Sequence, residues 1–365
     1  MKRMARGGWV AAIVLLLVAA TARADAVDDY VNAHLAQRHI PGLSLAVVRG
    51  GKVEKLAGYG LANVELNVPV TPDTMFQIQS VTKTFTSTAI LMLVEEGKIA
   101  LDDPIGKYLD QTPESWNKIT IRNLLSHTSG IKDFINEPTA SIRLDVTEED
   151  VLKATAPRPL NFQPGEKYAY SNTNYHLLAM VIRKLTGKSY GDFLKERIFV
   201  PLGMTSTRIN SLSDIIPNRA SGYAWVKNRL QNGQYVAESI LSYGGGGIVS
   251  SARDMAKWAM ALNDERLLKK SSIEAAWTAM KFNDGGTSTY GLGWGVGAVN
   301  GHRVVDHSGA HMTGFTSFLI RYRDDDMAIV VLTNSRTADP GQIAMHIAGI
   351  YNPALMPKAP ATGKK

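Results

Sequence analysis

Cysteine is absent from all 365 residues. That excludes a disulfide framework, a thiolate metal site and a cysteine nucleophile. Also absent are the G-x-S-x-G elbow, the H-E-x-x-H helix of zinc peptidases and the glycine patterns that cradle nucleotide phosphates. The nearest approach to the elbow is Gly42-Leu43-Ser44-Leu45-Ala46. No run of five basic residues occurs, and the formal charge of +7 owes four cations to the first 24 residues. Without them thirty-six bases face thirty-three acids, which gives no argument for nucleic acid as a partner. Of the eight histidines, His302, His307 and His311 are close in sequence, but no acid sits among the last two at ligand spacing. We therefore expect no metal and no cofactor.

Long apolar runs are scarce as well. Trp9 to Ala20 is one of 12 residues, well short of the ~20 needed to span a bilayer. Lys2, Arg3 and Arg6 precede it, and Ala22-Arg23-Ala24 supplies small residues where a signal peptidase cuts. Residues 1–24 therefore read as an export signal cleaved before Asp25, with a membrane anchor as the alternative. The expectation is a periplasmic or secreted protein with no stable membrane insertion after cleavage.

What the chain does have is 45% hydrophobic residues with 20% charged. That suits a sizeable core, in two domains or in one large domain with an insertion. Leu43–Val48 and Val53–Tyr59 read as strands around an Arg49–Lys52 turn, and Met75–Gln79 as a short extended piece. Three-and-four spacing then begins at Ser80, runs through Phe85, Ala89 and Leu93, and stops at Gly97. The middle is mainly helical: Ile121–Ser126, a Thr147/Asp150 capping box, Asn174–Thr186 closed by Gly187, Tyr190–Ile198 and Ala252–Leu262. Between them, Tyr223–Leu230 and Gln234–Glu238 read as a hairpin turning at Asn232-Gly233. Strands return at Tyr290–Val296, Arg303–Asp306, Thr316–Arg323 and Met327–Thr333, before a last helix from Ile343 to Tyr351.

These elements predict an α+β fold of the α/β sandwich type. An antiparallel sheet is built from N- and C-terminal strands, flanked by helices, and carries a mainly helical insertion. The expected organisation is a single catalytic domain over 25–352. Its sheet part covers about 27–79 and 285–350 and its helical part about 98–262, followed by a disordered tail at 353–365.

Three short motifs carry chemistry. In Ser80-Val81-Thr82-Lys83 the serine and lysine lie three apart on one helix face, so the amine can take the hydroxyl's proton. The same spacing recurs at Ser115–Lys118 and Ser129–Lys132, neither of which opens an apolar helix. Tyr170-Ser171-Asn172 stands in a turn-rich approach to a helix; Tyr30-Val31-Asn32 shares its spacing. His307-Ser308-Gly309 ends a strand-like run, where a glycine permits close backbone approach.

In this order the three motifs resemble those of the penicillin-recognising serine hydrolases, in the branch of class C β-lactamases, DD-peptidases, D-aminopeptidases and family VIII carboxylesterases. Leu124–Gly130 (LLSHTSG), Pro201–Met204 (PLGM) and Gly245–Asp254 (GGGIVSSARD) resemble the same branch, and the likeness spans roughly 27–350. The resemblance implies a β-lactamase/transpeptidase-like fold and a small-molecule or peptide substrate cleaved through an acyl-serine. It implies Ser80 as nucleophile, Lys83 as assisting its deprotonation, Tyr170 as a shared acid/base with an accessible phenolate, and Asn172 as a contact to the acyl part; Lys83 and Tyr170 both stand as the working base. The backbone N–H groups of Ser80 and Ala310 would form the oxyanion hole, and His307, Ser308 and Gly309 would line the groove. β-Lactamases of this branch typically have Lys-Thr-Gly at the third motif. His-Ser-Gly here points towards a carboxylesterase, D-Ala-D-Ala carboxypeptidase or D-aminopeptidase; the alternatives are a penicillin-binding or sensor module that acylates with little turnover and a class C-like β-lactamase. If His307 titrates near pH 6.5, substrate carboxylates should bind better as the pH falls through that value.

Overall fold

The computed structural model describes residues 26–136, 143–241 and 243–357; residues 1–24, expected to be an export signal, lie outside them. The chain enters through helix α1 (26–38), followed by strands β1 (Gly42–Arg49), β2 (Lys52–Asn63), β3 (Val68–Pro69) and β4 (Phe76–Gln77). Helices α2 (Thr82–Glu95), α3 (Ile121–Leu125), α4 (Glu148–Thr155), α5 (Asn172–Thr186) and α6 (Tyr190–Leu194) make up the middle. Then come β5 (Arg208–Ile209), β6 (Tyr223–Val226), β7 (Arg229–Asn232), α7 (Glu238–Leu241), β8 (Ile248–Ser250), α8 (Ala252–Ala261) and α9 (Lys270–Ala276). The C-terminal part supplies β9 (Gly295–Val299), β10 (His302–His311), β11 (Phe315–Tyr322), β12 (Met327–Thr333) and α10 (Pro340–Tyr351).

Seven strands form the main sheet in the order β3-β2-β1-β12-β11-β10-β9, antiparallel throughout. The first and last strands of the chain meet at its centre, with Leu43 opposite Thr333 and Arg49 opposite Met327. Strand β1 explains why both faces are covered. Leu43, Leu45 and Val47 point to one layer with α1 and α10, through Val27, Val31, Ile343 and Ile347. Ala46 and Val48 point to the other, with Phe85, Ala89 and Trp258 from α2 and α8. A period-two strand that is apolar on both faces requires a layer on each side.

Helix α1 is absent from the sequence reading, although Val27, Val31 and Leu35 repeat at four-residue spacing and are all buried. The expected hairpin exists but turns elsewhere. Lys227 and Asn228 occupy its two positive-φ positions, at 50° and 59°, as a two-residue turn of this hand requires. Asn232-Gly233 ends the hairpin's second strand instead, and Gln234–Glu238 is not a strand. Gly233 is needed for space: a Cβ there would lie 2.0 Å from the Thr313 carbonyl oxygen.

The expected disordered tail also begins too early. Asn352 caps a short turn at Pro353–Leu355, Leu355 is fully buried, and Asn300 Nδ2 donates to the Ala354 and Met356 carbonyls at 3.0 and 2.8 Å. An apolar side chain that fills a core gap orders its backbone whatever the local proline content.

Candidate active site

Ser80 lies in a single 3₁₀ turn, Gln79–Val81, that feeds α2; helix α2 itself begins at Thr82. The helix expected to begin at Ser80 therefore begins two residues later. The turn is wound tightly because Gln79 sits at φ 49°, a conformation unfavourable for a residue with a Cβ. Its side chain is tied down on the far side, where Nε2 donates to Gln77 Oε1 at 2.7 Å and to Thr313 Oγ1 at 3.2 Å. Gln79 is a residue that motif reading missed.

Lys83 follows one helical turn later and is completely buried. Its ammonium group has three acceptors: Ser80 Oγ at 3.1 Å, Asn172 Oδ1 at 2.9 Å and the Gly245 carbonyl at 2.7 Å. Gly245 belongs to the glycine run 244–247, which passes α2 closely enough for Thr86 Oγ1 to donate to the Gly244 carbonyl at 2.5 Å. Burial strips the ammonium of water and lowers the lysine from its ordinary 10.5 to about 7, opposed by the attraction of Asp133.

Tyr170 and Asn172 come from the approach to α5 and its first residue. The Tyr170 ring is partly exposed, but its hydroxyl shares a hydrogen bond with Ser80, and Lys83 Nζ lies 4.8 Å from the ring centre. Desolvation pushes this phenol above its ordinary range, so the expected accessible phenolate is corrected. The group with a basic form available near neutral pH is Lys83. Asn172 is drawn towards the lysine, and its Oδ1 also accepts from Tyr243 O–H at 3.0 Å. Tyr243 was not anticipated either, since nothing in its local sequence distinguishes it from other tyrosines.

The third motif lies inside β10, not at its end: the strand continues to His311. Gly309 is the reason β10 can press against the turn carrying Ser80. A Cβ at that position would stand 2.4 Å from the Ile78 carbonyl oxygen and 2.9 Å from Gln79 Cβ. Ser308 and Ala310 are exposed along the strand. His307 is buried: its Nδ1 is 2.7 Å from the Ser308 carbonyl and its Nε2 is 2.8 Å from Tyr290 O–H. A carbonyl only accepts, so Nδ1 carries the proton and Nε2 accepts from the tyrosine.

Desolvation, with the nearby Lys83, drives His307 down to about 3. It is neutral at every working pH, and the expected histidine-gated binding of carboxylates is corrected. Arg303 and Arg321 do not supply the missing charge, because they pair with Asp324 and Asp326 at the other end of the sheet.

His127, from the LLSHTSG stretch, is buried beneath the site. The Ser171 N–H donates to its Nδ1 at 3.1 Å, and its ring centre lies 4.2 Å from that of Tyr170. Desolvation holds it well below 6.5 and therefore neutral. Of the spare motifs, Tyr30 stacks on His346 at 3.9 Å, part of the α1–α10 layer. Ser115 sits in the turn Glu114–Trp116. Ser129 donates to Asn174 Oδ1 at 2.7 Å.

A serine hydroxyl held against a buried lysine, on a helix packed beside an antiparallel sheet, defines a class of serine hydrolase. The beta-lactamase family model matches residues 27–350. Penicillin-binding protein 4* of Bacillus subtilis (strain 168) is 29% identical over 91% of this chain and 77% of its own. The octameric penicillin-binding protein homologue from Pyrococcus abyssi is 30% identical, with TM-score 0.78 over 90% of this chain and 77% of that one. D-amino acid amidase from Ochrobactrum anthropi SV3, complexed with D-phenylalanine, is 28% identical, with TM-score 0.76 over 91% of this chain and 98% of that one. The chain spans 65% to 77% of the length of the first curated relatives it matches. It belongs to the beta-lactamase family, as a serine hydrolase of the β-lactamase and penicillin-binding protein superfamily.

Proposed function

We propose that this protein hydrolyses an amide or ester bond of a small molecule or peptide through an acyl-Ser80 intermediate. The observation that carries the reading is the 3.1 Å contact between Ser80 Oγ and a fully buried Lys83, whose charged form burial disfavours. Neutral Lys83 takes the hydroxyl proton as Oγ attacks the carbonyl carbon. The tetrahedral oxyanion faces the backbone N–H groups of Ser80 and Ala310. As the intermediate collapses, the Tyr170 hydroxyl passes a proton to the departing amine or alcohol and is reprotonated from Lys83. A water molecule then repeats the attack on the acyl-serine, giving up its proton to the same base, and Ser80 leaves with one.

Asn172, His307, Ser308 and Gly309 line the groove in this reading. With His307 neutral, the third motif offers no cation to a substrate carboxylate. Esters and amides that carry no carboxylate, including D-amino acid amides, are therefore favoured over β-lactams. The likeness to D-amino acid amidase supports this choice. The likeness to a penicillin-binding protein supports a second reading, acylation with little turnover. A chromogenic nitrophenyl ester separates them: turnover gives a sustained linear rate, whereas a module that only acylates gives a burst of one equivalent and stops. A panel with a D-amino acid amide, a D-Ala-D-Ala peptide and a cephalosporin assigns the substrate class. A cephalosporin cleaved faster than every ester and amide overturns the preference.

The basic first residues, the 12-residue apolar run and Ala22-Arg23-Ala24 support export to the periplasm or medium. N-terminal sequencing of the protein from its native host should begin at Asp25; Met1 in a membrane fraction would favour the anchor.

A further inference from the structure

Among the described residues, the carboxylate that acts on Lys83 is that of Asp133, a residue outside all three motifs. It lies just before the turn Phe134–Asn136, half-buried against the start of α5. The contact is built from both sides. Asn172 Nδ2 donates to Asp133 Oδ2 at 2.9 Å, and the Ile135 N–H donates to Oδ1 at 3.2 Å. The adjoining residue repeats the tie, with Thr173 Oγ1 donating to the Lys132 carbonyl at 2.7 Å and accepting from the Phe134 N–H at 2.9 Å.

An ionised carboxylate only accepts hydrogen bonds, and an ammonium only donates them. Asn172 stands between one of each. Its amide nitrogen must turn to Asp133, which leaves Oδ1 facing Lys83 Nζ at 2.9 Å and Tyr243 O–H at 3.0 Å. The reverse orientation would set donor against donor and acceptor against acceptor. We propose that Asp133 is a positioning residue, whose carboxylate fixes the Asn172 amide towards Lys83 and places a negative charge beside the Ser80–Lys83 pair.

The other groups facing the lysine carry no such charge. Ser80, Tyr170, Tyr175 and Tyr243 are neutral hydroxyl side chains, and His127 and His307 are held uncharged by burial. Asp133 therefore opposes the desolvation that pulls the Lys83 proton off. Removing its charge should move the lysine titration down by roughly one pH unit.

The test is the Lys83 titration itself, read by 13Cε NMR on lysine-labelled protein, with Lys83→Arg to assign the signal. This readout needs no turnover, so it stands even if the proposed hydrolase reading, on which the kinetic arm rests, fails. The expected result is a titration displaced to lower pH in Asp133→Asn and retained within a few tenths of a unit in Asp133→Glu. In the kinetic arm, the acid limb of kcat/KM moves down with it and the plateau falls, because a weaker base extracts the serine proton less readily. If Asp133→Asn does not fold, the reciprocal measurement decides: the Asp133 13Cγ titration should move up in Lys83→Met, which removes the cation. An unmoved or raised lysine titration in Asp133→Asn overturns the proposal, as does an unmoved Asp133 in Lys83→Met.

Discussion

At Lys83 desolvation by complete burial and the opposing charge of Asp133 act on one side chain, and the balance brings it to about 7. The sign of the pH dependence follows. The native value lies below the ordinary one, so the basic form grows as the pH rises through about 7. In a pH-rate series, kcat/KM should climb about tenfold per unit below that point and level off above it. Lys83→Arg, which stays protonated, should lose at least about a thousandfold in kcat/KM. Ser80→Ala should abolish turnover and covalent labelling by a serine-directed phosphonate, a loss of several orders of magnitude. Labelling retained at another serine, read by peptide mass spectrometry, would refute the assignment. The motif order made Ser80 and Lys83 legible, because a helix places residues three apart on one face whatever surrounds them. The protonation states were not legible. His307 looks like a pH switch in one dimension, and only its burial against Tyr290 and the Ser308 carbonyl makes it inert.

Elements position these side chains by close approach. Strand β10 lies against the Ser80 turn because Gly309 leaves room for the Ile78 carbonyl, which also accepts from Ser317 Oγ at 2.6 Å. Gly309→Ala puts a methyl group against the Ile78 carbonyl oxygen, Ser317 Oγ and Gln79 Cβ. It should cost about 2 kcal/mol or more in chemical denaturation and lower kcat, since the strand must back away from the groove. A variant as stable and as active as the wild type would show that the contact relaxes freely. The same physics explains the misplaced hairpin turn. Asn-Gly is a strong local turn signal, but here the glycine serves a contact with Thr313, and the turn falls on Lys227-Asn228. A contact across 80 residues outweighs a dipeptide preference.

On the scale of the whole molecule, the two ends of the chain close one sheet and its outer layer. Helix α1 and the segment through Leu355 both contribute to the layer over β1 and β12. Leu355→Ala should therefore destabilise the fold by ~2–5 kcal/mol in urea unfolding. A loss below about 1 kcal/mol would mean that residues 353–357 rest on the core without supporting it.

The sequence by itself determined β1, β2, β10, β11 and β12, helices α2, α5 and α8, the sheet built from both termini and the Ser80–Lys83 pair. Each follows from periodicity or from spacing within one element, and neither depends on distant residues. Only the tertiary structure decided that Gly245 accepts from Lys83, that Asp133 and Tyr243 meet Asn172 beside it, that Gln79 anchors the Ser80 turn from the far side, that burial holds His307 neutral, and that residues 353–357 are ordered. Hydrogen-bond partners, desolvation and steric room are properties of what lies across space. Gly245 is 162 residues from the lysine it binds, and no local pattern records such a meeting.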